Sequence, residues 1–434
     1  MNQRKGGVLI IFVLIFINLS VFADLFAQVE FHGFVRNHSA FRVDKPNDAM
    51  LLRNRLRLNS ELWGDNVYAF ASFDILNDVA DSAITILNLR EAYLDIYSSF
   101  VDFRIGKQQV VWGKADGYFI NDIVNPLDLS YFLLQDFDDI RMATTMLNTK
   151  LYFGNHSLEV LVIPEFKPTK INFKGDWGFE RPDSIEIPAP PQYSVSTIRI
   201  PLVYQKDSIP KNSLRRAEYG LRFNTFLLGT DLSIIYLKVR EDKPIYLKQI
   251  VADNYSLPNG VKLTPSHPWV TFYGANFSRP FRTSVFRGEG GYYPKRLFNT
   301  EGVKYINEGM LVEKGFIQGM LGIDYQLTGD IDIGVQVIQE RILDYEDGIV
   351  NNEANSIATF LIRGRFFNET VLPMILTLYN IDNKSSLSRI MVDWNYSDSF
   401  IITFGVDILE GDSDTIFGQF DRSDNLYFKV KFSF

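Results

Sequence analysis

From Gln28 onward, apolar and polar residues alternate along much of the chain. In the segment LLRNRLRLNSELWG, the side chains of Arg53, Arg55 and Arg57 fall on one face, and Leu56 falls on the other. A period of two predicts β-strands with one polar and one apolar face. A soluble sandwich alternates in the same way, so this pattern alone does not decide the environment.

The connections between the predicted strands add information, because short and long connections alternate. The short turns are predicted at Trp63–Asn66, Ser98–Phe100, Gly154–His156, Leu227–Thr230, Ser278–Pro280, Leu327–Asp330, Phe367–Thr370 and Tyr396–Ser399. Strict alternation places all short turns on one side of the sheet and gives about eighteen strands, an even number as in single-chain bacterial barrels. The longest connection, residues 166–213, is rich in proline and is expected to be an extracellular loop.

The N-terminus has the layout of a secretory signal peptide. It begins with the basic residues Arg4 and Lys5, continues with an apolar run, and reaches a small residue at Ala27. We predict that residues 1–27 form the signal peptide and that residues 28–434 form one exported domain. A permanent membrane helix is the alternative, since the apolar run is nearly long enough to span a bilayer.

The last strand supports a membrane barrel. In NLYFKVKFSF, one face carries Leu426, Phe428, Val430, Phe432 and Phe434. An alternating final strand that ends in phenylalanine resembles the assembly signal of bacterial outer-membrane barrels. An exported membrane sheet must also close on itself, because lipid offers no partners for a free edge. We therefore predict an all-β fold, a transmembrane antiparallel barrel of about 18 strands in contact with outer-membrane lipid.

Composition excludes several kinds of function. The chain has no cysteine and only four histidines, and its formal net charge is −8. The absence of cysteine excludes disulfides, thiolate metal sites and cysteine catalysis. The negative net charge argues against nucleic acid as a partner. No G-x-S-x-G or H-E-x-x-H motif is present, so we predict no catalytic residues, no cofactor and no metal site.

Five blocks of sequence resemble a known family. In chain order they are LREAYLDI (Leu89–Ile96), RIGKQQVVWGKADG (Arg104–Gly117), VNPLD (Val124–Asp128), LEVLVIPEFKP (Leu158–Pro168) and VFRGEGGYY (Val285–Tyr293). They resemble a poorly characterised family of porin-like outer-membrane barrels of Gram-negative bacteria, loosely similar to the alginate-export and carbohydrate-selective porins. The resemblance implies an outer-membrane location and passage of a small-molecule solute, without naming that solute.

Some alternatives stay open at this point. Members of the resembling family are associated with hydrophobic compounds or with export systems, so a channel or an export accessory of that kind is a second reading. A non-conducting barrel that makes surface contacts through its long loops is a third. Porin-like barrels often trimerise, so a homotrimer is also open.

The stretch Val110–Phe132 is too long for a hairpin turn and too apolar for a solvated loop. Asn125 as N-cap and Pro126 at the first helical position predict a short helix there. We expect residues 112–140 to fold into the barrel and narrow its lumen. The candidate constriction residues are Trp112, Lys114, Asp116, Asn121, Asp122, Asn125 and Asp128. The alternative is that these side chains only cap turns and anchor the loop.

Alternation also predicts which side chains face the lumen. They are Arg53, Arg55, Arg57, Glu61, Glu91, Arg104, Gln108, Arg222, Arg287, Glu289, Arg363, Arg365, Lys429 and Lys431. An apolar core would not tolerate so many charges, so a wet or hydrogen-bonded interior is expected. Barrel closure should bring Lys429 and Lys431 beside Arg36, and the resulting basic stripe would favour anions. Alternatively, these basic side chains pair with carboxylates from loops or from the opposite wall, which neutralise the stripe.

Overall fold

The computed structural model describes residues 28–43, 48–80, 85–132, 135–188, 197–252, 258–301 and 309–434. The predicted signal peptide lies outside these residues. The described chain forms 22 strands: β1 (Gln28–Arg42), β2 (Ala49–Trp63), β3 (Val67–Asp78), β4 (Thr85–Ile96), β5 (Val101–Gln108), β6 (Thr144–Phe153), β7 (His156–Ile163), β8 (Ser184–Pro188), β9 (Thr197–Tyr204), β10 (Glu218–Leu227), β11 (Thr230–Arg240), β12 (Ile245–Ala252), β13 (Pro258–Ser266), β14 (Trp269–Phe281), β15 (Ser284–Asn299), β16 (Leu311–Gln326), β17 (Ile331–Ile342), β18 (Ala354–Gly364), β19 (Val371–Asn380), β20 (Ser386–Ser397), β21 (Phe400–Glu410) and β22 (Asn425–Ser433).

Eighteen of these strands form one closed antiparallel barrel, which confirms the predicted fold. Neighbours in the barrel are neighbours in the sequence, except that β7 pairs with β10 and β11 pairs with β14. The barrel closes where β1 pairs with β22, in a register that places Arg36 opposite Lys431. On its other side β1 pairs with β2 and places Arg36 opposite Arg55. Closure leaves no free edge for lipid to meet.

Short and long connections alternate around the barrel as predicted, so the two ends of the barrel differ in the length of their connections. We call them the short-turn end and the long-loop end. One predicted turn is misplaced: residues 278–280 belong to β14, and the turn lies at residues 282–283. Pro280 is tolerated within β14, although proline is uncommon in strands, and the turn follows at Arg282, whose φ of 54° lies in the left-handed region.

The two faces of each barrel strand are chemically distinct. In β2, the side chain of Leu56 faces outward and is 37% exposed, whereas Arg55 faces inward and is 5% exposed. Aromatic side chains are exposed near the short turns, among them Trp63, Phe100 and Phe281. Outer-membrane barrels place aromatic residues in this way at the membrane–water boundary. Among the described residues, no helix is long and apolar enough to cross a membrane.

A second, small sheet lies within the long connections before and after β10 and β11. Its strand order is β12-β13-β9-β8, and β13 and β9 run parallel. Ile200, Val261 and Leu263 form the buried centre of one of its faces. The longest connection therefore contains ordered structure of its own at the long-loop end.

The connection between β5 and β6, residues 109–143, folds into the barrel, which confirms the predicted inward loop. We call it the lumen loop. It contains one short helix, α1 (Phe137–Ile140). The helix predicted at Asn125 is wrong: Leu127 and Asp128 instead form isolated β-bridges with Arg141 and Lys170. The Asn125 amide makes hydrogen bonds to distant backbone and does not cap a helix.

Candidate functional site

One carboxylate on the barrel wall holds the first part of the lumen loop. Glu289, on β15, accepts hydrogen bonds from the backbone N–H groups of Lys114 (2.6 Å), Ala115 (3.0 Å) and Asn121. The Glu289 side chain is buried. Buried backbone donors need partners, so this single side chain fixes the path of the loop. We call this contact the Glu289 anchor.

Further wall residues strengthen this attachment. Arg287 donates to the Lys114 carbonyl (2.6 Å) and to carboxylate oxygens of Asp116 (2.6 Å) and Asp324 (2.7 Å). Gln336 donates to the Asp116 carboxylate at 2.7 Å and accepts from its backbone N–H at 3.1 Å. The loop is therefore bound through both backbone and side-chain groups on this wall.

The base of the loop is closed by amide side chains. Asn125 Oδ1 accepts from the Val110 N–H at 2.6 Å, and Asn125 Nδ2 donates to the Met142 carbonyl at 3.1 Å. Gln108 is fully buried and donates to the Met146 carbonyl at 3.2 Å. These contacts tie the entry and exit of the loop to each other and to β6.

Two acidic candidates of the loop are paired within or beside it. Asp122 accepts a hydrogen bond from Arg141 Nε at 2.6 Å. Burial raises the pKa of Asp122, and the positive charge of Arg141 acts in the opposite direction. Asp128 accepts from the Ser130 N–H at 3.0 Å and from Lys170 Nζ at 3.2 Å. Both contacts stabilise the loop itself.

Apolar packing adds to these polar contacts. Trp112 is 1% exposed and packs in a cluster with inward-facing side chains that include Leu161, Leu237 and Phe272. Asn276 donates to the Trp112 carbonyl at 3.1 Å. Burying a large apolar side chain contributes roughly 1.5–3 kcal/mol. The apolar residues of the loop thus find their cover inside the barrel, as their composition requires.

The far part of the loop carries a carboxylate into a group of arginines. Asp139, at α1, accepts hydrogen bonds from Arg36 (3.0 Å), Arg57 (2.8 Å), Arg90 (2.6 Å) and Arg55. We call these four residues the arginine cluster. Burial alone would raise the pKa of Asp139, but the positive charges of Arg55, Arg57 and Arg36 outweigh burial and hold the pKa well below the usual range.

A neighbouring carboxylate repeats this arrangement. Asp136 accepts a hydrogen bond from Lys429 at 2.7 Å and pairs with Arg36. Burial acts to raise the pKa of Asp136, yet the charges of Lys429 and Arg36 lower it. The loop therefore carries two charged acids to the strands where the barrel closes.

The basic stripe that closure predicts exists as a row of side chains, and loop acids neutralise it in part. We call it the basic wall, and it comprises Arg36, Arg53, Arg55, Arg57, Arg90, Lys429 and Lys431. Within the described chain, five carboxylates approach these seven cations: Asp74, Asp78, Glu91, Asp136 and Asp139. Among these described side chains, the cations thus outnumber the carboxylates that approach them.

A bulge in β4 explains how Arg90 joins this wall. Strict alternation would place Arg90 and Glu91 on opposite faces, but the register with β3 shifts between Ser72 and Phe73. As a result Arg90 reaches Asp139, while Glu91 accepts a hydrogen bond from the backbone of the loop. Bulges re-aim side chains in this way.

The remaining predicted lumen residues lie on inner faces or at strand ends. Arg104 pairs with Asp95 at 2.6 Å. Arg222 pairs with Glu159 at 2.6 Å, and its guanidinium lies 5.1 Å from the Trp112 ring. Alternation also predicted three further lumen residues. Glu61 lies 3.6 Å from His32, and Arg363 is on the inner face of β18. Arg365 lies just beyond β18 and pairs with Asp332.

Two other long connections cover the lumen loop at the long-loop end. Phe132, in the loop, packs on Phe420 with ring centroids 4.6 Å apart and on Phe179 at 5.8 Å. Trp177 also packs on Phe420. Of these aromatic side chains, Trp177 also lines a small cavity with Arg36 and Arg55. Sequence reasoning did not identify the aromatic residues, because they are ordinary apolar residues in loops with no periodic pattern.

The lumen loop crosses the barrel from one wall to the other. The Glu289 anchor is on β15, which lies halfway around the 18-stranded barrel from β2, where Arg55 and Arg57 are found. The described part of this segment is therefore bound at two opposite walls of the barrel. The site is therefore a crossing loop with a hydrogen-bonded anchor at one wall and a charged contact at the other.

Solved structures share this fold. Pseudomonas aeruginosa OccK2 (OpdF) in complex with glucuronate matches with a TM-score of 0.53 at 9% identity, covering 94% of this chain and 98% of that chain. OpdK of the same organism matches with vanillate (TM-score 0.51, 8% identity, 94% and 98% covered) and as an outer membrane protein (TM-score 0.51, 7% identity, 94% and 99% covered). At such identities the likeness shows the fold alone.

Among curated proteins, none matches this sequence. A family model does match, over residues 32–360, and these include most of the barrel and the whole lumen loop. The chain belongs to that family, which is described as a protein of unknown function (DUF1302).

Proposed function

We propose that this protein is an outer-membrane channel through which small solutes pass passively, and that the lumen loop forms its constriction. The observation that supports the proposal most strongly is the crossing of the lumen by residues 109–143, bound at Glu289 and at Asp139. A barrel built only as a scaffold has no need of a crossing segment that is charged and hydrogen-bonded to the wall. The outward apolar faces and aromatic residues near the short turns fit an outer-membrane location.

The orientation of the barrel in the membrane follows from the lengths of its connections. In barrels of this class the short turns face the periplasm and the long loops face outward. The small sheet and the aromatic cover over the lumen loop would then lie on the extracellular side, where a solute enters. The proposal contains no catalytic step and no cofactor. A homotrimer stays a prediction.

A liposome-swelling assay tests passage directly. We expect vesicles that contain the refolded protein to swell in arabinose and more slowly in sucrose, because the crossing loop restricts larger solutes. A variant that lacks Ala115–Asp128 should narrow the difference between the two sugars. A variant that carries Arg341→Gln, an exposed arginine paired with Glu353 on the outer face, should behave as the native protein.

The outcomes separate the candidate functions. Swelling by the native protein supports the channel. Swelling by the deletion variant alone indicates a barrel that the loop plugs. Swelling by neither indicates a barrel that makes surface contacts or handles hydrophobic compounds, and it contradicts the proposal.

The basic wall predicts the ionic preference of the channel. Its positive excess should favour anions, because a low-dielectric wall focuses the potential within a narrow lumen. Replacing Arg55 and Arg57 with glutamine should reduce the anion preference, measured as the reversal potential in a salt gradient. An unchanged reversal potential would show that the loop carboxylates already cancel the wall.

A further inference from the structure

The arginine cluster forms a binding site for a carboxylate, which Asp139 fills. Each oxygen of Asp139 accepts two guanidinium groups: Oδ1 binds Arg57 and Arg90, and Oδ2 binds Arg36 and Arg55. Guanidinium groups match carboxylates in shape and charge, and such charge-assisted hydrogen bonds are among the strongest in proteins. The arginines belong to β1, β2 and β4, so the site is part of the barrel, whereas the carboxylate is part of the loop.

Among the described residues, the wall supplies no ion-pair partner for two of these arginines, Arg36 and Arg55. Arg57 would keep Asp74, to which it donates at 2.7 and 2.8 Å. Arg55 and Arg36, however, have ion pairs only with the loop acids Asp136 and Asp139 among the described residues. A buried cation that loses its partner is costly. If the loop end leaves, another anion must therefore take its place.

A small cavity beside Asp139 provides independent support. It is lined by Arg36, Arg53 and Arg55 on the wall, by loop acids, and by Tyr131 and Trp177. Its volume is about 20 Å³, which is room for about one water molecule. Arg55 is 5% exposed, and its Nε is buried without a hydrogen-bond partner in the described part of the chain. One donor of the cluster thus stays unused while Asp139 occupies the site.

We propose that the arginine cluster binds the carboxylate group of small organic acids, which replaces Asp139 and releases the α1 end of the lumen loop. The inference deepens the proposed function, on which it rests for passage, by naming a substrate class. The exchange keeps the charge of the site unchanged, because one carboxylate leaves as another arrives. A neutral or cationic solute has no means of releasing the loop in this way.

The Glu289 anchor would not respond to such a solute. There the wall supplies the carboxylate and the loop supplies backbone N–H groups. A solute carboxylate that approached Glu289 would meet like charge. Replacement of a loop carboxylate by a solute is thus confined to the Asp139 end, and the Glu289 anchor keeps the loop attached to the wall.

Hydrogen–deuterium exchange in detergent micelles tests the proposal without relying on conductance. Sodium acetate is the probe, acetamide is the neutral control of the same shape, and sodium chloride keeps ionic strength constant. The reporters are the amides of Asp139, Ile140 and Met142, which donate to backbone carbonyls within the loop. Acetate should speed their exchange about tenfold, and acetamide should not. Peptides that contain Lys114 and Asn121 should stay protected.

Variants make the test specific. Asp139→Asn should show faster amide exchange without acetate, because an uncharged amide holds the loop end more weakly than the carboxylate does. Arg55→Gln should need more acetate for the same response, while Arg341→Gln should match the native protein. Equal responses to acetate, acetamide and chloride would overturn the inference. A specific response in a protein that fails the swelling assay would keep the binding site and reject the channel, and the reverse result would reject the binding site alone.

Discussion

The two ends of the lumen loop are held by the same chemistry with the partners exchanged. At the Glu289 anchor, an acid of the wall accepts from backbone N–H groups of the loop. At the arginine cluster, an acid of the loop accepts from side chains of the wall. Backbone donors belong to the fold of the loop, and those at the Glu289 anchor are wholly or partly buried with it. Arginine side chains remain on the wall whether the loop is there or not.

This difference indicates that the loop stays attached to the wall at the Glu289 anchor and is able to detach at the arginine cluster. Leaving the Glu289 anchor would strand buried backbone donors and the apolar Trp112. Leaving the arginine cluster strands cations that a solute anion is able to pair. A crossing segment with one fixed and one exchangeable end narrows a lumen and still permits movement within it.

The largest expected effect comes from removing the Glu289 anchor, which is the fixed end of the lumen loop. Replacing Glu289 with alanine leaves three backbone N–H groups without this acceptor, one of them buried (Asn121) and two part-buried (Lys114 and Ala115), and each costs roughly 1–3 kcal/mol. The free energy of unfolding, measured by urea titration in micelles, should fall by about 3–6 kcal/mol. Glu289→Gln keeps an acceptor oxygen and should cost clearly less. Equal losses for the two variants would show that the negative charge, and not the acceptor geometry, holds the loop.

A smaller effect is expected when the charged end is broken. Asp139→Asn removes the charge that four arginines share, and its amide still accepts some of their hydrogen bonds. Removing one partner of a buried ion pair costs several kcal/mol, but the adjoining cavity admits water, so we expect a loss of about 2 kcal/mol. The same urea titration measures it. A loss greater than that of Glu289→Ala would reverse the assignment of fixed and exchangeable ends.

The charged end should be insensitive to mild acid. Folding lowers the pKa of Asp136 and Asp139, so both stay charged, and their contribution is present above the ordinary aspartate pKa of about 3.9. It is lost only as the pH falls through the lowered values. Exchange of the Asp139 and Ile140 amides, corrected for intrinsic rates, should therefore stay constant between about pH 7 and 5. Release near pH 5 would contradict the pairing described for these acids.

The smallest expected effect comes from locking the fixed end. The chain has no cysteine, so one engineered pair forms without competition. A Cβ added at Gly274 would lie 3.1 Å from Asn121 Cγ, so the two side chains would be in direct contact, provided that the Phe272 ring, 2.7 Å from that Cβ, shifts. For Asn121→Cys with Gly274→Cys, oxidation and reduction should leave single-channel conductance nearly unchanged, because this end does not move. A large rise on reduction would show that the anchor opens.

Much of this architecture follows from the sequence, because strand periodicity is a local property. Alternation places Glu289 and Arg287 inward without any knowledge of the loop. The apolar character of the stretch after β5 requires cover, and the barrel interior supplies it. These inferences need only the pleat of a strand and the cost of exposing apolar surface.

The charged end of the loop could not be predicted in the same way. Asp139 meets the arginine cluster because of the path of a long connection, and a connection has no alternating pattern from which that path could be predicted. The bulge that brings Arg90 inward is a local departure from alternation. The helix expected at Asn125 fails because the Asn125 amide is used to close the base of the loop. Tertiary contacts override local propensity in such places.

Single-channel conductance in a planar bilayer tests the central claim most directly. The native protein should give a stable conductance, and a variant that lacks Ala115–Asp128 should give a larger one, because the crossing segment no longer narrows the lumen. Absence of conductance in both proteins would contradict the account, since it would mean that the barrel is closed by something other than the lumen loop.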